Sequence, residues 1–230
     1  MGLDGESYSG EVEDMTVMIK HRAVTALALL ATVSLGGQAA VAAEATEARD
    51  LDTFTRIVVK GALDISIVAG EKQQLVEITT ESRYLARVET EVDGDTLIIS
   101  QKGRRWRDLD VEIEISMVAL NGFVIDGAAD VEISGVDSEE FELIVNGAGD
   151  IDIEGVCGSA HFEINGAADL DASELKCKAV EVEINGAGDA DVYASESIVA
   201  FINGVGDIEV YGNPSSVRPR IRGFGSFEIK

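Results

Sequence analysis

Before each Asn-Gly pair in the second half of the chain, alternate positions are apolar. They are Phe141, Leu143 and Val145; Phe162 and Ile164; Val180, Val182 and Ile184; and Ile198, Ala200 and Ile202. After each pair the alternation resumes, as Ile151/Ile153, Leu170/Ala172, Ala190/Val192 and Ile208/Val210, with Val131/Ile133 and Phe227/Ile229 outside them. Period two marks strands with one buried face, so each unit reads as strand, turn, strand. The Asn-Gly-Ala-Gly run between the strands supplies residues that tolerate positive φ. Upstream, the pattern predicts strands at 53–59, 62–68, 74–80, 86–92, 95–101 and 109–116. Asp93-Gly94 predicts a hairpin, and Ser82 to Leu85 a short helical turn. No amphipathic stretch is long enough for a substantial helix.

The turns recur. Asp126-Gly-Ala-Ala-Asp130 is followed by Asn146-Gly-Ala-Gly-Asp150, Asn165-Gly-Ala-Ala-Asp169, Asn185-Gly-Ala-Gly-Asp189 and Asn203-Gly-Val-Gly-Asp207. Arg222-Gly-Phe-Gly-Ser226 is a degraded sixth copy, and Lys60-Gly-Ala-Leu-Asp64 an early relative. Successive steps are 20, 19, 20, 18 and 19 residues. Antiparallel hairpins need no constant step, whereas a parallel stack places like on like once per turn. The expected fold is therefore all-β: a parallel β-solenoid (β-helix) of about 19–20 residues per coil, right-handed as parallel crossovers are. Asn146, Asn165, Asn185 and Asn203 then form one ladder, with Asp126 before and Arg222 after. Asp130, Asp150, Asp169, Asp189 and Asp207 form a second. Glu132, Asp152, Asp171, Asp191, Glu209 and Glu228 form a third, facing outward.

Charge narrows the function. Of 230 residues, 43 are acidic and 18 basic, a net −25. Such a chain would approach phosphates through its own repulsive field, which argues against nucleic acid as a partner. Between 108 and 217 only Lys176 and Lys178 are basic. At the N-terminus, Lys20, His21 and Arg22 precede an apolar run, Ala23 to Leu35, and small residues ending Ala40-Val41-Ala42-Ala43. This is the layout of a cleavable signal peptide, too short to span a bilayer. Residues 1–43 are expected to leave and 44–230 to form one domain, with 53–116 as lead-in strands and 117–230 as regular coils. The membrane is met only through the signal peptide before cleavage. Residues 1–14 precede the signal, and Met15 or Met18 is the more usual kind of start.

Five stacked carboxylates about 4.8 Å apart repel by roughly 0.9 kcal/mol per pair even at water's dielectric. Two readings offset this: backbone N–H groups in each Gly-rich corner, or Ca²⁺ between coils, which makes Asp130, Asp150, Asp169, Asp189 and Asp207 weak metal candidates. No other cofactor is implied. Cys157 and Cys177 each lie eight residues before a repeat Asn, at equivalent places on neighbouring coils. That spacing suits a disulfide in an oxidising compartment; two reduced thiols at a corner are the other reading. Arg104, Arg105, Trp106 and Arg107, next to Lys102, are either a solvated loop or a grip on an acidic partner. Arg218, Arg220 and Arg222 blunt the last open edge. His161 reads as a surface residue beside Glu163. No nucleophile–base pair is identifiable, because there is no G-x-S-x-G and His161 is the one His beyond the signal.

Ile164-Asn165-Gly166, Ile184-Asn185-Gly186 and Ile202-Asn203-Gly204 resemble the repeated element of the family called putative auto-transporter adhesin, head GIN domain. The lead-in is similar too, through Phe54, Ile57, Val59 and Gly61, then Leu97-Ile98-Ile99, then Met117, Leu120, Phe123, Ile125 and Gly127. The resemblance runs over roughly 50–229 and implies an exported parallel β-solenoid of bacteria, with no catalytic residues to carry over. One departure is Ala190, where the family's apolar strand shrinks. The function expected is that of a non-enzymatic cell-envelope protein, periplasmic, surface-held or secreted, that is structural or binds a glycan or protein surface ligand. A homo-oligomer is compatible with this. The alternatives are a polysaccharide-acting β-helix enzyme and a calcium-dependent envelope scaffold.

Overall fold

The computed structural model describes residues 43–103 and 110–230. They form strands β1 (Glu44–Arg49), β2 (Arg56–Val68), β3 (Leu75–Glu81), β4 (Val88–Asp93), β5 (Thr96–Gln101) and β6 (Val111–Ser116). Then follow β7 (Gly122–Ile184), β8 (Ala190–Ile202), β9 (Ile208–Tyr211), β10 (Ser216–Ile221) and β11 (Phe227–Ile229). The helix content of these residues is one 3-10 turn, Leu85–Arg87. All strands join one mixed, mostly parallel sheet in the order β1-β3-β6-β2-β7-β8-β9-β11, with β10 on β8, β5 on β2 and β4 on β5. The sheet is open, ending at β1 and β11.

Parallel register aligns the repeats. Lys60 pairs with Asp126, Ala62 with Ala128 and Asp64 with Asp130, so the early relative is the first member of the stack. Ala167 bridges Ala187, which bridges Val205, which bridges Phe224, all parallel. β7 has 63 residues and, fully extended, would run roughly 200 Å. Yet Gly147 lies against Gly127 and Gly166 against Gly147, and the Phe141 and Phe162 rings meet at 6.5 Å. The segment therefore bends back on itself from one repeat to the next.

Burial explains the bends. Phe123 and Ile125 before the corner and Ala129, Val131 and Ile133 after it are buried, while the repeat glycine between them is half-buried. A Cβ on Gly147, Gly166, Gly186 or Gly204 would overlap the carbonyl oxygen of the glycine before it in the stack. Only glycine permits the layers to approach so closely. The apolar side chains make one continuous core, with Phe123, Phe141, Phe162 and Met117 among its largest fully buried members.

The lead-in departs from a uniform parallel stack. β1 runs antiparallel to β3 and β3 to β6, so this end is a mixed sheet. The expected strands 53–59 and 62–68 are one strand, because the buried parity of Ile57 and Val59 continues through Gly61 to Leu63 and Ile65. The Asp93-Gly94 hairpin is present, with Asp93 opposite Thr96 and Gly94 at φ 65°. The helical turn lies at Leu85–Arg87, slightly beyond the expected place. Gln101 is 6% exposed, and its side chain donates to Ala62 O at 2.9 Å. It thereby satisfies a corner carbonyl where the β5 ladder with β2 has ended.

Candidate functional site

Each repeat corner turns three side chains outward, at the first, third and fifth positions. Parallel register stacks them into three files, of which the third- and fifth-position files line a shallow groove along the sheet. The amide file is continuous: Asn146 Nδ2 donates to Asp126 Oδ1 at 2.9 Å, Asn165 to Asn146 Oδ1 at 3.0 Å, Asn185 to Asn165 at 3.1 Å and Asn203 to Asn185 at 3.2 Å. Asn165 and Asn185 also donate to Glu163 and Glu183 two residues back, at 2.9 and 3.0 Å. Arg222 follows in the file, its N–H bonded to Ile202 O at 2.7 Å.

The middle file is small and exposed: Ala128, Ala148, Ala167, Ala187, then Val205 and Phe224. Phe224 is 80% exposed. The third file is acidic. Asp169 Oδ1 accepts the N–H of Asp189 at 3.0 Å, Asp189 Oδ1 that of Asp207 at 2.8 Å, and Asp207 Oδ1 that of Ser226 at 2.7 Å. The donor is thus on the next repeat, not in the carboxylate's own corner as the sequence suggested. A hydrogen bond to a charged group contributes roughly 1.5–3 kcal/mol, which exceeds the ~0.9 kcal/mol repulsion between neighbours. Among the described residues, no three His, Cys, Asp or Glu side chains converge in a way that could hold a metal ion.

Register adds Asp64 to the acidic file, and there the crowding is unrelieved. Burial, then Asp130, then Asp110, push its carboxyl above the ordinary 3.8. Asp191 in the neighbouring acidic ladder is raised by burial, then by Glu209, Asp171 and Asp189, against Lys230. Lys230 is itself held protonated by Glu228 and Glu209. A carboxyl raised in the native state binds protons more tightly there than when unfolded. Stability therefore increases as pH falls through the raised native values, and the gain is complete near 3.8. The melting temperature is expected to rise from about pH 7 to about pH 4.5, and Asp64→Asn to raise it at neutral pH. A steady fall over that range, with no effect of Asp64→Asn, would refute this reading of the file.

Cys157 and Cys177 are joined as a disulfide with Cα atoms 4.5 Å apart. His161 is partly exposed, with Nε2 at 3.9 Å from Glu163 and Nδ1 at 4.0 Å from Glu181. Arg104, Arg105, Trp106 and Arg107 lie outside the described residues, as do residues 1–42, which hold nearly all of the expected signal segment. Two features escaped the sequence reading. One is the ion pair of Arg56 with Glu142, which crosses 86 residues. The other is the exposure of the apolar end of the middle file, where Val205 stands 55% and Phe224 80% exposed.

The fold is similar to that of a putative adhesin of Bacteroides fragilis, 23% identical, with a TM-score of 0.67 over 82% of this chain and 97% of that one. It also overlaps a putative lipid binding protein of Parabacteroides distasonis (19% identical, TM-score 0.45, 81% of this chain and 96% of that one). A putative adhesin of the same species overlaps at 18% identity and a TM-score of 0.47, over 83% and 98%. No curated protein matches the chain. Residues 53–214 match the family described as putative auto-transporter adhesin, head GIN domain, and the chain belongs to that family.

Proposed function

We propose that this protein is an exported, non-enzymatic contact module of a bacterial cell envelope, wound as a β-solenoid. Residues 1–43 are its address and 44–230 its working domain. The observation that carries the reading is the flat face of three files. It presents amides from Asn146 to Asn203, small side chains from Ala128 to Ala187 and carboxylates from Asp130 to Asp207, one of each per repeat. A surface of this kind suits an extended partner that itself repeats. Carboxylate oxygens and amide groups bond hydroxyl and N–H groups of a glycan or of an extended polypeptide, while the alanine floor lets the polymer lie close. Catalysis fits less well, because the corners are short and build no walled cleft around converging groups. The disulfide suits an oxidising compartment outside the cytoplasm.

A glycan and matrix-protein array probed with the purified protein tests this. Binding to at least one polymeric class is expected. Ala167→Arg, which raises a long side chain in mid-face at an exposed position, should weaken that binding at least about tenfold with an unchanged melting temperature. An array blank in both classes, or binding indifferent to Ala167→Arg, would remove the proposal.

A further inference from the structure

We propose that the C-terminal end of the sheet docks a second copy of this chain, head to tail, through the free edge of residues 223–229. This goes beyond the face described above and concerns the open end of the sheet, where the middle file ends in Phe224. Among the described residues, β10 pairs on one side with β8 and β11 on one side with β9. The Phe224 N–H donates to Gly204 O at 2.9 Å, and Phe224 O accepts from the Gly206 N–H at 3.0 Å. Both polar groups of Phe224 therefore face backward. In a parallel ladder the direction alternates with each residue, so Gly223 and Gly225 aim theirs outward, at the open end.

The edge has two halves of different character. β10 contains Pro219, which has no N–H to offer, between Arg218 and Arg220. Such residues discourage strand addition. The half from 223 to 229 has no proline, and its one charge, Glu228, is already paired with Lys230. Phe224 is 80% exposed and Ile229 45%, with Ile221 at 42% beside them and Val205 at 55% beneath. An aromatic ring standing free at an unpaired edge is the kind of anchor that interfaces bury.

Charge selects the partner and its orientation. The last thirteen residues carry Arg218, Arg220, Arg222 and Lys230 against Glu228 alone, in a chain of net −25. Lys230 is already engaged, at 3.0 Å from both Glu209 and Glu228. At the other end of the sheet, among the described residues, β1 pairs on one side with β3 and β4 on one side with β5. These strands carry Glu44, Glu47, Glu89, Glu91 and Asp93 against Arg49, with Glu47 paired to Arg49 at 2.8 Å and Glu89 to Lys102. Tail-to-tail pairing would set arginines against arginines, whereas head-to-tail pairing sets them against carboxylates. A contact of that type does not close on itself, so copies add in a row.

Sedimentation velocity over a range of protein concentrations tests this. At low salt, species beyond the dimer should grow with concentration, and about 1 M salt should return them to monomer. Phe224→Asp should weaken association by about thirtyfold or more and leave the melting temperature unchanged, since the ring is exposed. Arg218→Glu with Arg220→Glu, and separately Glu44→Lys with Glu47→Lys, should each associate poorly alone and recover when mixed. Should the arginine pair fail to fold, the Phe224→Asp result decides. A monomer at every concentration, a dimer that grows no further, or a Phe224→Asp protein associating like the parent would each overturn the proposal.

Discussion

Gly166→Ala should destabilise the protein by about 3 kcal/mol or more. The new methyl would overlap the carbonyl oxygen of Gly147, a backbone atom that cannot swing aside. Relief requires the two layers to part, and Gly186 stacks in turn on Gly166, so separation there disturbs both neighbours. Gly94→Ala is the control. Gly94 sits in the β4–β5 turn at φ 65° with nothing within 4 Å of an added Cβ. Its cost is that of a left-handed alanine, about 1 kcal/mol. Urea unfolding of both variants measures the difference. A Gly166→Ala protein within about 0.5 kcal/mol of the parent would mean that the layers do not approach as described.

The second large effect belongs to the cross-link. Cys157 and Cys177 are 20 residues apart, and closing a loop of that length removes about 3 kcal/mol of unfolded-state entropy. Both residues are buried, Cys177 at 1% exposure, so reduction leaves two thiols inside the core rather than a hydrated pair. Replacing both by alanine should lower the melting temperature by roughly 6–12 °C, and reductant should lower that of the parent by a similar amount. An unchanged transition in both experiments would show that the bond does not constrain the chain.

Much of this architecture is legible in the sequence, because parallel stacking repeats chemistry at a fixed step. The 18–20 residue recurrence of Asn, Gly and Asp aligns Asn146 with Asn165 and Asn185, and even Lys60–Asp64 with Asp126–Asp130. The all-β class and the hairpin at Asp93-Gly94 were legible for the same local reasons. Strand direction in the lead-in was not. Alternation in β3 says which face is buried, and reads the same whether its neighbour runs parallel or antiparallel. β1 was invisible: Glu44–Arg49 has a weak apolar alternation, and its place comes from pairing with β3 at long range. The partner of each stacked carboxylate was also out of reach. An Asp before a hydrophobic strand suggests a bond within its own turn, and only the register shows that the next repeat supplies the N–H.

Both side-chain ladders run in one sense along the stack. Each asparagine gives its amide hydrogen to the level below, and Asp169, Asp189 and Asp207 each take a backbone hydrogen from the level above. Every level thus gives hydrogens to the one beneath it and receives them from the one above. Under tension applied at the C-terminus the levels peel singly, last first, each releasing about 18–20 residues or roughly 60 Å of slack. The peeling is interrupted at the covalent rung between Cys157 and Cys177. A chain stacked this way lengthens in instalments under tension, and its innermost levels stay intact while the outer ones give.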